Sequence, residues 1–311
     1  MRMTQGARAE ASRKHVFSKE IADQVRRIEL RTRGLVESLF SGEYHSVFKG
    51  RGLEFSDVRE YQPGDDVRTI DWNVTARRGR PFVKEYVEER ELTALLIVDL
   101  SASKEVGTGP RSNASIASEI AAILAFAAAG NNDRVALLLV TDRVELFVPP
   151  DSGRRHALRL VMELLSFRPE GRGTKLSAGL EYASRVLHRR AAVFVVSDFL
   201  MDEATDPRLA KAARRLGRDH DVVPIRLTDP AGDDLPDVGL LALVDPETGE
   251  RRVIDTRRRV RDAYKARKAS QRGDIAALFR ELRMDAIEVA TDDDYVPALI
   301  RFFRRRERMS R

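Results

Sequence analysis

The chain has 311 residues, of which 42% are hydrophobic and 33% charged, a balance typical of a folded globular protein. It contains no cysteine, which excludes disulfides and thiolate metal sites and leaves oxygen and imidazole as metal ligands. The formal net charge is +6, with both signs interspersed, and the five histidines are too scattered for a zinc site. No continuous apolar run approaches the length of a membrane span, and the N-terminus lacks the apolar middle of a signal peptide. We therefore expect a cytoplasmic protein.

The first ninety or so residues differ in character from the rest. Residues 1–17 are expected to be a disordered tail. Apolar residues then recur at helical spacing up to about Phe40, among them Ile21, Val25 and Ile28, which predicts a helix. From residue 44, short apolar pieces alternate with turn signals and dense charge, which predicts an extended or irregular stretch with one strand at "PFVKEYVEE". Together these parts form a predicted accessory segment over residues 18–90.

Beyond Thr93, strands and helices alternate regularly. Apolar runs predict strands at 93–100, 134–141, 191–199, 221–228 and 285–290, a short strand after 143 and a hairpin near 239–255. Helical patterns fall at 113–130, 153–166, 175–188, 206–217, 257–283 and 294–306. Strands that are continuous Val, Leu and Ile runs are buried on both faces. The alternation therefore predicts a doubly wound, mostly parallel α/β sheet with helices on both faces, Rossmann-like, over residues 91–306, followed by a basic tail at 307–311.

Five polar residues are predicted to meet at one edge of this sheet. Asp99, Ser101 and Ser103 follow the first strand in "DLSAS", Asp198 follows a later buried strand in "VSDF", and Thr174 lies in the glycine-rich "GRGTKL" before a helix. Ligands of doubly wound sheets bind at the carboxyl ends of the strands. A set made only of oxygen atoms suits Mg²⁺, with Mn²⁺ or Ca²⁺ possible. Neutral hydroxyl ligands would leave much of the cation's charge uncompensated, so that an acidic group from outside could complete its shell.

The same residues resemble the metal-ion-dependent adhesion site of von Willebrand factor A-type domains. That signature is Asp-x-Ser-x-Ser on the first strand, a Thr in a later loop and an Asp on a later strand. The resemblance implies that Ser101, Ser103 and Thr174 bind the ion, with Asp99 and Asp198 bound directly or through water. Two positions depart from the pattern, since Ala102 and Phe199 stand where glycine is common. We expect Ser112, Asn113 and the loop 107–111 to shape the rim.

A wider resemblance covers residues 18–306. The segments "GRGLEFSDVREYQPGDDVRTIDWNVTARRGRPFVKEYVEERE", "DRVALLLVTDRVELFVPP", "RRAAVFVVSDFL" and "DLPDVGLLALVDPETGE" are similar to the bacterial family called domain of unknown function fifty-eight. Its members often lie beside genes for MoxR-type AAA+ ATPases. The resemblance implies a non-enzymatic, metal-dependent protein-interaction module that acts as adaptor or partner of such an ATPase in complex assembly or remodelling.

The charged block at 50–90 has several interpretations. It could be a second binding surface, or Asp65, Asp66 and Asp71 could ligate a catalytic metal. The interpretation we favour is an Arg–carboxylate network, with Arg59 or Arg68 paired to nearby aspartates. In that case Trp72, the only Trp of the chain, is expected to be a packed anchor.

Two alternative functions remain. A magnesium-dependent hydrolase or phosphotransferase could use Asp99, although such enzymes normally carry a second acid two residues later, where this chain has Ser101. The chain contains no Walker motif. Nucleic acid could bind the basic C-terminal residues Arg304–Arg311, whose other interpretation is a solvated helix end.

Overall fold

The computed structural model describes residues 21, 23–30, 54–87, 92–101, 112–171, 173–199, 207–244 and 249–310. They fall into two compact units, Lys49–Glu91 and the remainder of the chain. The predicted accessory segment is therefore divided, because Val25 and Ile28 of its helix are buried in the core of the larger unit. The predicted tail at 1–17 and the last part of the predicted helix, from 31, lie outside the described residues.

The described residues hold ten strands and eight α-helices, which follow in chain order. The strands are β1 (Glu54–Glu60), β2 (Phe82–Val87), β3 (Thr93–Asp99), β4 (Arg134–Val140), β5 (Val144–Ser152), β6 (Ala191–Ser197), β7 (Asp221–Thr228), β8 (Leu240–Val244), β9 (Arg251–Asp255) and β10 (Ile287–Ala290). The helices are α1 (21 and 23–30), α2 (Trp72–Arg78), α3 (Asn113–Gly130), α4 (Arg154–Ser166), α5 (Leu176–Val186), α6 (Pro207–Asp219), α7 (Arg258–Glu281) and α8 (Val296–Ser310).

The larger unit is built on one sheet of six strands in the order β5-β4-β3-β6-β7-β10. All neighbouring strands are parallel except β5, which pairs antiparallel with β4 at one edge. Counted within the sheet, the order is 3-2-1-4-5-6, which is that of a doubly wound fold. This confirms the fold class predicted from the alternating pattern, and it puts β3, which carries Asp99, at the switch in strand order.

Helices cover both faces of this sheet. Alternate residues of β3 point to opposite faces, so that Leu96 and Val98 join a core with α1, α3, α4 and α8. Leu95 and Ile97 join the second core, with α5, α6 and α7. The strands therefore have apolar side chains on both faces, which is why they appear in the sequence as continuous apolar runs.

Among the described residues, α3 is the one helix that is long and apolar enough to be compared with a membrane span. By length and composition alone it could cross a membrane, but 72% of it is buried inside the protein, as in the core helix of a folded domain. It begins where the sequence predicts, because the Ser112 hydroxyl oxygen accepts a hydrogen bond from the Ser115 N–H at 3.2 Å.

The predicted basic tail at 307–311 is largely helical, since α8 continues to Ser310. Arg306 holds this helix to the larger unit through two hydrogen bonds to Asp221, at 2.7 and 3.0 Å. Arg305 and Arg306 also pair with Asp285. Part of the basic cluster is therefore engaged in ion pairs within the chain.

In the smaller unit β1 and β2 form an antiparallel pair, joined through a short 3-10 turn (Val67–Thr69) and α2. α2 lies in a stretch that the sequence predicts to be extended or irregular. The prediction for Trp72 is wrong, because its side chain is 70% exposed. Trp72 is the first residue of the short helix α2, and the two-stranded ribbon buries the much smaller Val83 instead.

Candidate metal site at the carboxyl edge of the sheet

The ends of β3 and β6 form the centre of the candidate site. These strands are adjacent, with Val98 opposite Val196, so Asp99 and Ser197 lie side by side. The Ser197 hydroxyl donates to Asp99 Oδ2 at 2.7 Å, and the Ser101 N–H donates to Asp99 Oδ1 at 3.0 Å. Asp99, Ser101 and Ser197 are all fully buried. Both oxygens of the Asp99 carboxylate are therefore oriented by neutral donors.

Asp198 directly follows Ser197 and is also buried. The next residue, Phe199, has a left-handed backbone with φ of 49°, which explains why glycine suits this position. Its N–H donates to the Ser197 hydroxyl at 3.0 Å, and its ring packs edge-on against Phe279 with 5.1 Å between centroids. The residues on both sides of Asp198 are thus fixed by hydrogen bonding and packing.

The loop that carries Thr174 is fastened to the end of β4, which neighbours β3. The Lys175 N–H donates to the Thr141 carbonyl at 2.9 Å, and the Gly171 N–H donates to Glu145 Oε1 at 2.7 Å. A Cβ at Gly171 would collide with Asp142 and Thr141, so this close approach requires glycine. Thr174 is thereby held at the same edge of the sheet as Asp99.

Polar residues continue along this edge beyond Ser197, onto the next two strands of the sheet. Arg226 of β7 lies opposite Ser197, and Glu288 of β10 lies opposite Arg226. Arg226 is buried, with its Nη1 3.6 Å from Glu288 Oε1. Neighbouring strands are about 4.8 Å apart, which puts the backbone of Arg226 roughly 10 Å from the backbone of Asp99. The Arg226 guanidinium is paired with Glu288, so it adds little net charge at the edge.

Of the five predicted ligands, three lie together in the structure, and a fourth lies in a loop that is fixed beside them. Asp99, Ser101 and Asp198 lie at adjacent strand ends, and Thr174 lies in the loop fixed beside them. Ser103 and the predicted rim loop at 107–111 lie outside the described residues. Of the other rim residues, Asn113 is buried at the start of α3, immediately after the cap Ser112.

The chemistry of this donor set fits a hard cation. In the described part of the chain, no group of three or more His, Cys, Asp or Glu side chains is arranged to hold a metal. The candidate set differs from such groups because it combines two carboxylates with hydroxyl oxygens. A carboxylate has about four acceptor positions, so Asp99 can hold Ser101 and Ser197 and still face a water molecule or an ion.

The acids of the charged block have structural roles. Arg59 donates to both oxygens of Asp65 at 2.7 Å, as predicted, and this pairing lowers the pKa of Asp65 to about 2. Asp66 accepts from the backbone N–H of Arg68 at 2.9 Å. Asp71 caps α2, and its hydrogen bond from the Val74 N–H is the main reason that its pKa is lowered. These contacts favour the network interpretation of the block.

Two sets of contacts at the carboxyl edge were not predicted from the sequence. Ser197 was not predicted to act with Asp99, although the hydroxyl immediately before Asp198 was an available signal. The network of Thr141, Glu145 and Gly171 was also missed. The relation of this network to Thr174 becomes visible only when β4 is known to lie beside β3. The sequence alone does not show which strands are neighbours.

The strand order and the helices on both faces of the sheet define a doubly wound, mostly parallel α/β protein. The chain belongs to the family described as protein of unknown function DUF58, whose model matches residues 57–274. It is 32% identical over 292 residues to an uncharacterized protein of Mycobacterium tuberculosis, covering 93% of this chain and 90% of that protein.

The chain also aligns with solved structures. One is a conserved hypothetical protein BatB from Bacteroides thetaiotaomicron, at 16% identity and a TM-score of 0.49, covering 70% of this chain and 99% of that one. Another is a von Willebrand factor type A protein from Catenulispora acidiphila, at 12% identity and a TM-score of 0.42, covering 73% and 43% of the two chains.

Proposed function

We propose that this protein is a non-enzymatic interaction module that binds a partner protein through a divalent cation at the carboxyl edge of its larger sheet. The observation that carries the proposal is the meeting of Asp99, Ser101 and Asp198 at adjacent strand ends, with the Thr174 loop fastened beside them. Strand ends at a switch in order are where doubly wound folds bind their ligands.

The ligands would have separate roles. Ser101, Ser103 and Thr174 would supply neutral oxygens to the cation, with Mg²⁺ preferred and Mn²⁺ or Ca²⁺ also suitable. Asp99 and Asp198 would act directly or through water. The hydrogen bonds from Ser101 and Ser197 fix the orientation of Asp99, as partners outside the metal's own shell commonly do.

The partner would supply an acidic side chain to the cation. A cation bound largely by neutral hydroxyls keeps much of its positive charge. This remaining charge favours a carboxylate from outside. We further propose a MoxR-type AAA+ ATPase as this partner, with the chain acting in complex assembly or remodelling. The support for the ATPase is the family resemblance alone.

The contacts within the chain weigh against the two alternatives. Asp99 is fully buried with both carboxylate oxygens accepting hydrogen bonds, which supports a positioning role rather than that of a nucleophile. Arg305 and Arg306 of the basic C-terminal cluster are engaged with Asp285 and Asp221, which reduces the charge that they offer to nucleic acid.

Affinity capture from native lysate tests this proposal. Wild type and the double variant Ser101→Ala/Thr174→Ala are run with Mg²⁺ and with a chelator, and Asp66→Asn serves as a control from the smaller unit. We expect a partner that is lost with the chelator and with the double variant but is kept by the control. A partner retained in every lane contradicts the proposal. A metal-dependent partner other than an AAA+ ATPase overturns only the ATPase assignment.

A further inference from the structure

The hairpin of β8 and β9 carries an apolar surface that the proposed function does not use. The two strands form a separate antiparallel sheet, and neither belongs to another sheet of the described chain. Leu240 is 74% exposed, Val244 54% and Val253 67%. An isolated two-stranded ribbon is only marginally stable in water, and large exposed apolar side chains that cluster commonly mark an interface.

Three cross-strand pairs share one face of the hairpin, which we call the outer face. The register places Leu240 opposite Asp255, Ala242 opposite Val253, and Val244 opposite Arg251. Side chains alternate along a strand, so these six residues lie on the same side. The outer face therefore has an apolar middle, a carboxylate at the base of the hairpin and a guanidinium near its tip.

This charge pattern is complementary to itself. If a second copy is stacked on the outer face with its strands antiparallel, Arg251 of each copy lies over Asp255 of the other. In the same arrangement Val253 meets Val253, and Leu240 meets Val244. Stacking β8 over β9 instead puts Val244 over Arg251, so only the antiparallel arrangement satisfies both charge and apolarity.

We propose that the outer face binds the same face of a second copy of this chain about a two-fold axis, with the strands antiparallel. Such a contact is isologous, because each copy contributes the same residues. Asp255 accepts from the Arg257 N–H at 3.0 Å and pairs with the exposed Arg257 guanidinium at 3.3 Å, but its side chain stays 42% exposed, which leaves room for Arg251 of a second copy. The contact is separate from the metal edge and does not depend on the proposed function.

Sedimentation velocity over a range from low to high micromolar concentration tests the association. We expect wild type to dimerise as concentration rises and Val253→Glu, which puts two carboxylates face to face, to stay monomeric. Val67→Glu is the matched control, because Val67 is 62% exposed but lies in the smaller unit. A wild type that is monomeric throughout overturns the proposal, and so does a dimer that Val253→Glu preserves. Circular dichroism confirms that each variant is folded.

Charge reversal tests the antiparallel arrangement itself. Arg251→Asp and Asp255→Arg are each expected to weaken the dimer about tenfold or more, because like charges then face each other. An equimolar mixture of the two variants should dimerise again, since every cross-copy pair in the mixed dimer is Asp against Arg. If both variants are folded and their mixture remains monomeric, the two-fold arrangement is wrong.

Discussion

The carboxyl edge of the larger sheet and the charged smaller unit both contain conspicuous aspartates, but their surroundings differ. At the edge, Asp99 is buried and accepts from a hydroxyl and a backbone N–H. In the smaller unit, Asp65 is held by the guanidinium of Arg59, and Asp71 by a helix N-terminus and Lys84. Neutral donors orient a carboxylate without neutralising it, whereas a guanidinium does both. An aspartate held by neutral donors is therefore the better candidate for a cation site.

The largest expected difference between the two regions comes from removing a buried carboxylate at the edge and an exposed one in the smaller unit. Asp99→Ala leaves the buried Ser197 hydroxyl and Ser101 N–H without this acceptor, and we expect a loss of about 3 kcal/mol in the free energy of unfolding. Asp66→Ala, in the smaller unit, removes an exposed cap and should cost about 1 kcal/mol or less. Urea unfolding measures both. Equal losses of unfolding free energy would show that the contacts of Asp99 stabilise the fold no more than those of Asp66.

The second prediction concerns Phe199 beside Asp198. Phe199→Ala should cost about 3–5 kcal/mol through lost packing. Phe199→Gly should be about 1 kcal/mol less destabilising than the alanine variant, because glycine relieves the left-handed backbone. Phe279, its helical packing partner, is the matched control, since there alanine should be better than glycine. Thermal unfolding of the four variants shows whether alanine or glycine is more stable at each position. If alanine is more stable at both positions, the backbone of Phe199 is not strained.

A smaller effect is expected in the titration of Asp65. Arg59 holds the pKa of Asp65 at about 2. The ion pair therefore stabilises the folded protein at pH values above the pKa of the unfolded carboxyl, and this stabilisation is lost as the pH falls through about 2. Carbon NMR of the Asp65 carboxyl should report this low pKa, and Arg59→Gln should raise it toward 3.8, the ordinary value. An unchanged titration in Arg59→Gln would remove Arg59 as the cause.

The smallest effect is expected at Trp72. Since it is exposed and is the only Trp of the chain, its fluorescence should have the emission of water-exposed indole and be quenched readily by acrylamide. Trp72→Ala should change the free energy of unfolding by less than about 0.5 kcal/mol. A blue-shifted emission would mean that Trp72 is packed.

Much of the fold was predictable because both faces of the sheet are covered. Continuous apolar strands alternating with helices predicted the doubly wound fold class, and three polar residues at strand ends (Asp99, Ser101 and Asp198) were found from it. Trp72 was misjudged because apolarity was taken to mean burial. A two-stranded ribbon has too small an interior to bury an indole, and residue type alone does not reveal the size of that interior.

The contacts that orient the site were less accessible from the sequence. The bond from Ser197 to Asp99 joins residues on different strands, and it depends on their register. The anchoring of the Thr174 loop likewise depends on a carbonyl of Thr141 and on Gly171 having no side chain. Backbone groups of this kind leave no signature in residue type.

Isothermal titration of Mg²⁺ into the protein is the most direct test of the central claim that the carboxyl edge is a divalent-cation site. Wild type and Asp66→Asn should bind the ion alike, and Ser101→Ala/Thr174→Ala should show no binding while remaining folded. Mn²⁺ and Ca²⁺ titrations extend the test to the other suitable ions. If wild type binds none of the three, or if the double variant binds as wild type does, the edge is not the cation site.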